Sequence, residues 1–166
     1  MKNITSGMGR LMVSVCLILP VSVFAGGTLT IPEKADFVDA KKIRAAIVTE
    51  CKLPETLSKT IRKAAKGYDK VEQVGSLKGA KGDVLDVKIE DAMGHGGGGW
   101  GMGGRRTVKT VGTLKRDGKV IGTFTAQRGT SKGRRTCSAL QYAAQAVAKD
   151  IGVWVASPTM DARLGE

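Results

Sequence analysis

The chain predicts an α+β fold: a two-layer sandwich in which a largely antiparallel sheet of about five strands carries two helices on one face. Three observations lead there. Two segments, one early and one late, repeat apolar residues at helical spacing; a run between them alternates apolar and polar residues; and two β-rich runs meet at a turn signal. The resulting order of strand, helix, four strands and helix fits helices gathered on one side of a sheet.

Residues 26–40 form a lead-in with a short apolar strip, Leu29 and Ile31, ended by Pro32. Residues 43–49 are short, apolar and β-branched, which predicts the first strand. Pro54 then suits the first turn of a helix, where its missing N–H costs nothing. Glu55 favours the positive end of that helix, Lys63 and Lys66 the negative end, and Gly67 the stop. Leu57, Ile61 and Ala64 share its inner face. Strands follow at 68–74 and at 83–90, where Leu85, Val87 and Ile89 alternate with Asp86, Lys88 and Glu90, a pattern with one wet face. Runs at 105–115 and 119–128 make a hairpin around Arg116, Asp117 and Gly118. A three-residue loop is expected there, pairing Leu114 with Val120, Thr110 with Phe124 and Gly112 with Gly122. Residues 136–157 give the last helix, with Leu140, Ala144, Val147, Ile151 and Trp154 on one stripe.

The first 25 residues read as a signal peptide: Lys2 and Arg10 open it, an apolar stretch covers 11–24, and Val23, Phe24 and Ala25 offer a cleavage site. The stretch contains Pro20 and falls short of the roughly 20 residues that a spanning helix needs. Val15 is branched where a lipid-modified Cys16 would want a small neighbour. The expected organisation is a leader over 1–25, one α+β domain over 26–158 and an irregular tail over 159–166, with no transmembrane span after cleavage. The expected location is periplasmic or secreted. Cys51 and Cys137 remain, and an even pair in an exported chain is most simply a disulfide. It would tie the entry of the first helix to the first turn of the last, with Cα atoms about 5–6 Å apart.

The run Glu50-Cys51-Lys52-Leu53-Pro54, the segment 118–128, Cys137-Ser138-Ala139-Leu140, Lys149-Asp150-Ile151 with Trp154, and the tail 158–165 resemble a family of small, uncharacterised exported proteins of Gram-negative bacteria. The resemblance implies a periplasmic setting and supports the cysteine pairing, and it brings no catalytic residues. The element order is also similar to that of small envelope domains: the amino-terminal domain of TolB and the curli-secretion and peptidoglycan-synthase-activating lipoproteins. Those are partner-binding modules.

Catalytic patterns fare poorly. The glycine-rich run 93–104 lacks the Gly-x-x-x-x-Gly-Lys-Ser/Thr motif of a phosphate loop and leads into β-rich sequence. The lone histidine, His95, lies among glycines, so neither a nucleophile–base pair nor a preorganised copper site with Met93 and Met102 is expected. Asp86 and Glu90, four residues apart along a strand, would stand about 13 Å apart, too far for a glycosidase pair. No catalytic residue, metal or cofactor is expected.

The formal charge of +12 favours an anionic partner. Its densest clusters are Arg105 with Arg106 and Lys132 with Arg134 and Arg135, which would flank one end of the sheet. Trp100 on the glycine-rich loop adds a contact residue. The expectation is a non-catalytic binding module of the bacterial cell envelope, its partner an envelope protein or an anionic envelope polymer. Nucleic acid fits poorly, because few aromatics are available for stacking. An enzyme using carboxylates unpaired in the sequence and a purely structural envelope component are the alternatives.

Overall fold

The computed structural model describes residues 27–94 and 106–165. The expected leader, Cys16, His95, Trp100, Met102 and Arg105 lie outside the described residues. In chain order the elements are β1 (Thr28–Pro32), β2 (Asp36–Phe37), a 3₁₀ turn (Ala40–Lys42), α1 (Ala45–Glu50), α2 (Leu53–Ala64), β3 (Lys70–Val74), β4 (Asp83–Gly94), β5 (Arg106–Arg116), β6 (Lys119–Thr130), α3 (Thr136–Trp154) and β7 (Ala162–Leu164). The fold is α+β, but the sheet is mixed and has seven strands rather than five. Its order is β3-β1-β4-β5-β6-β7, and β2 pairs with β4. Strand β1 runs parallel to both β3 and β4, β7 runs parallel to β6, and the β4-β5-β6 meander is antiparallel.

Three local readings change as a result. The strip around Leu29 and Ile31 is a full strand inside the sheet. Both side chains are completely buried, because α2 crosses back over them in a β-helix-β unit. Residues 43–49 are not a strand. Ile43 and Ile47 are both buried and lie four apart, a helical spacing that seats α1 on the core. The tail is not wholly irregular either, since Ala162–Leu164 pairs with Phe124–Ala126.

The hairpin register also differs from expectation. Asp117 (φ 49°) and Gly118 (φ 81°) are both left-handed, so the turn has two residues with Arg116 facing Lys119. A bulge then shifts the ladder between Leu114 and Lys115, which sets Leu114 opposite Gly122 and Gly112 opposite Phe124. The two glycines are not paired; each makes room for an aromatic ring. A Cβ on Gly112 would stand 2.5 Å from the Phe124 ring, and one on Gly122 would stand 2.7 Å from the Trp154 indole. Phe124 and Trp154 meet edge to face at 4.9 Å.

One face of the sheet is covered. Leu29, Ile31, Leu85, Val87, Ile89, Val108 and Leu114 pack there against Leu53, Leu57 and Ile61 of α2 and Leu140, Ala144, Val147 and Ile151 of α3. Helices α2 and α3 touch most closely at Gly152, where a Cβ would come within 2.5 Å of the Ala64 carbonyl carbon. The expected disulfide is present: Cys51 and Cys137 are bonded with Cα atoms 4.6 Å apart, at the short end of the usual range. Gln141 of α3 adds a hydrogen bond from its Nε2 to the Cys51 carbonyl, at 2.9 Å.

Candidate functional site

Three chain segments converge where β4 ends, β5 begins and β6 runs out. Arg106 opens β5, facing Gly94 of β4 on one side and Thr130 of β6 on the other. The loop after β6 folds over the same end. The Lys132 N–H donates to the Thr130 hydroxyl at 3.0 Å. Gly133, at φ +96°, turns the chain so closely against α3 that a Cβ there would stand 2.7 Å from the Ala139 nitrogen. Arg134 and Arg135 follow, and Arg135 is the N-cap of α3. From the other side Gly94 is flanked by Thr136 and Ile47, so α1 with its N-cap Arg44 lies beside the first turn of α3. The Cys51–Cys137 bond fixes this contact covalently.

The outcome is a basic end. Lys42, Arg44, Lys132, Arg134 and Arg135 are exposed and Arg106 is half-buried. Among the described residues, Lys42 alone of these stands in an ion pair, with Asp39 at 3.8 Å. The Nε of Arg106 is buried and has no hydrogen-bond partner among the described residues. The first turn of α3 contains no acid, and no side chain caps it. Its amide dipoles therefore add positive potential at the same end. Asp91 is an acid close to the group as well: with Lys42 and Arg44 it lines a hollow of about 170 Å³.

Two arginines elsewhere are held by carboxylates. Arg116 holds Asp83 through two bonds of 2.7 and 2.8 Å, and Arg128 holds Asp150 at 2.8 and 3.2 Å. The first pair sits at the opposite end of β4 and β5, where Tyr68 also donates to Asp83 at 2.7 Å. The Arg116 guanidinium, helped by the phenol, holds the Asp83 carboxyl below the usual carboxylate range. Burial, and then the Asp83 carboxylate, push the Tyr68 phenol well above its ordinary value, so it remains a donor.

The uncovered face of the sheet carries a shallow groove of about 460 Å³, lined by Asp86, Lys88, Thr113, Thr123, Asp161 and Arg163 among others. Its carboxylates are engaged. Asp86 stands 3.9 Å from Lys88, and Asp161 accepts the Thr123 hydroxyl at 3.1 Å. Glu90 is at a bulge in β4 and pairs with Lys109 at 2.8 Å.

Of the expected contact residues, the structure brings Arg106, Lys132, Arg134 and Arg135 to one place. Trp100 and Arg105 fall outside the described residues. Lys42 and Arg44 were not expected in the group. Their signal is present, two basic residues close together in sequence, but reading 43–49 as a strand gave no reason to place them at this end.

No protein-family model and no curated protein sequence matches the chain. Among solved structures, a Xanthomonas campestris protein described by the family model DUF330 is similar over 82% of this chain and 87% of its own, with 12% identity and a TM-score of 0.51. Two PelC dodecamer structures from Paraburkholderia phytofirmans are similar at 15% identity: one over 76% of this chain and 86% of its own with a TM-score of 0.48, the other over 75% and 87% with a TM-score of 0.45. The likeness to the Xanthomonas protein is one of fold.

Proposed function

We propose that the chain is a non-catalytic binding module of the bacterial cell envelope and that it takes an anionic partner on the basic end of its sheet. The observation that carries this reading is the gathering of Arg44, Arg106, Lys132, Arg134 and Arg135 around the uncapped start of α3, none in an ion pair among the described residues. Arginine forks left open at a surface suit bidentate capture of phosphate, sulfate or carboxylate groups. The leader and the disulfide support the envelope setting, since an oxidising compartment preserves such a bond. No helix among the described residues is long and apolar enough to cross a membrane. The non-catalytic reading is supported by the engaged carboxylates of the open face.

Retention of the mature protein on dextran sulfate tests the proposal. The variant R44A/R134A/R135A is expected to elute at clearly lower salt than wild type. The variant K78A/K81A/K119A, which removes the same charge from other exposed positions, is expected to elute near wild type. Equal loss from both variants would mean that net charge, not the basic end, does the binding.

A further inference from the structure

Strand β6 reaches Thr130, but β7 covers its outer side only over Phe124–Ala126. Gly165 follows at φ +79° and packs closely there: a Cβ would stand 2.5 Å from the Gln127 carbonyl oxygen, 2.9 Å from the Arg128 Nε and 3.0 Å from an Asp150 carboxylate oxygen. Beyond it, no described residue pairs with the outer side of β6, which is a sheet edge among the described residues.

The phase of that edge follows from the ladder. The Thr123 N–H donates outward to the Thr159 carbonyl at 3.1 Å, and the pairing with β5 is regular from Gly122 to Thr130. Odd-numbered residues of this stretch thus turn their peptide groups away from β5. Gly129 shares this phase, and among the described residues no backbone group meets it on the outer side. It offers one donor and one acceptor, with no side chain to obstruct an approaching strand.

A groove of about 290 Å³ lies between this edge and α3. Ala143 and Ala146 line it with Tyr142, which is 51% exposed, and Lys132 and Lys149 line it as well. Among the described residues no carboxylate lines it; nearby Asp150 is taken by Arg128. An open peptide edge, a small apolar surface with an aromatic ring, and two lysines together describe an extended peptide bearing acidic side chains. A polymer without amides would use the lysines and leave the Gly129 edge idle.

We infer that this groove takes an extended acidic segment of a partner protein, added as a short strand at Gly129 and held by Lys132, Lys149 and Tyr142. The inference rests on the basic-end reading, because Lys132 belongs to both surfaces, and it gives the anionic partner a chemical class.

The test is a fluorescence titration of the mature protein with a labelled peptide of sequence Glu-Val-Asp-Val-Glu, blocked at both ends, alongside dextran sulfate retention. Both Lys149→Glu and Tyr142→Ala are expected to weaken peptide binding about tenfold or more and to leave the salt of elution from dextran sulfate near wild type. N-methylation of the central peptide amides is expected to weaken binding similarly. Unchanged peptide affinity in both variants, or an N-methylated peptide that binds as well as the parent, would overturn the groove assignment. Absence of peptide binding with retention intact would also overturn it while sparing the basic-end reading. Loss of arginine-dependent retention as well would remove both.

Discussion

Thr110 shows how single side chains set the cost of this core. It lies on the covered face between Ile89 and Ala126, is fully buried, and its hydroxyl has no hydrogen-bond partner among the described residues. An orphaned hydroxyl in such a place costs free energy that an isosteric methyl does not. Thr110→Val is therefore expected to raise stability by about 1 kcal/mol, read from urea unfolding; a loss would mean that the hydroxyl is satisfied in solution. Asp83 behaves oppositely. Its folded pKa is lowered by Arg116 and Tyr68, so its contribution is complete above the unfolded value of about 4 and disappears as pH falls through the folded value. Asp83→Asn is expected to destabilise the protein at neutral pH and to narrow its gap from wild type in acid. A gap independent of pH would contradict the assignment. At this scale the sequence was informative about residue type and poor about partners. Nothing in the string placed Phe124 over Gly112 or Trp154 over Gly122, because a bulge in the hairpin decides both.

The elements depend on two close contacts. At Gly152 the helices α2 and α3 approach so nearly that a Cβ would meet the Ala64 backbone at 2.5 Å, and the Lys66 N–H donates to the Gly152 carbonyl at 2.9 Å. Gly152→Ala is expected to cost about 2–3 kcal/mol by prising the helices apart; a calorimetric scan with no fall in the melting temperature would refute that packing. The disulfide joins α1 and α3 across 86 positions, and replacing both cysteines with alanine is expected to cost about 2–5 kcal/mol. Long periodic elements were readable: α2 by its Pro54 start and Leu57–Ile61 spacing, α3 by its stripe, β4 by its alternation. Short ones were not. Leu29 and Ile31 gave too few residues to show a period, and their strand exists because β3 and β4 flank it on both sides. In α1 the β-branched run Ile47, Val48 and Thr49 has strand propensity, which burial of Ile43 and Ile47 at helical spacing overrides.

Across the whole molecule, the arginines divide by what they hold. Arg116 and Arg128 each hold a carboxylate through two bonds, whereas among the described residues the arginines where α1, α3 and the β6–α3 loop meet stand in no ion pair. Half of that arrangement was legible, since Arg106 and the 132–135 cluster flank a predicted hairpin and must share its open end. Arg44 was hidden, because its place depends on α1 being a helix pinned to α3 by the disulfide. The claim that this end is the binding surface is tested most directly by titrating nitrogen-15-labelled mature protein with short-chain polyphosphate and mapping the amide shifts. The account predicts that the shifts concentrate at residues 42–47, at Arg106 and at 130–138. Shifts spread evenly over the exposed lysines, or centred on the 115–119 turn, would contradict it.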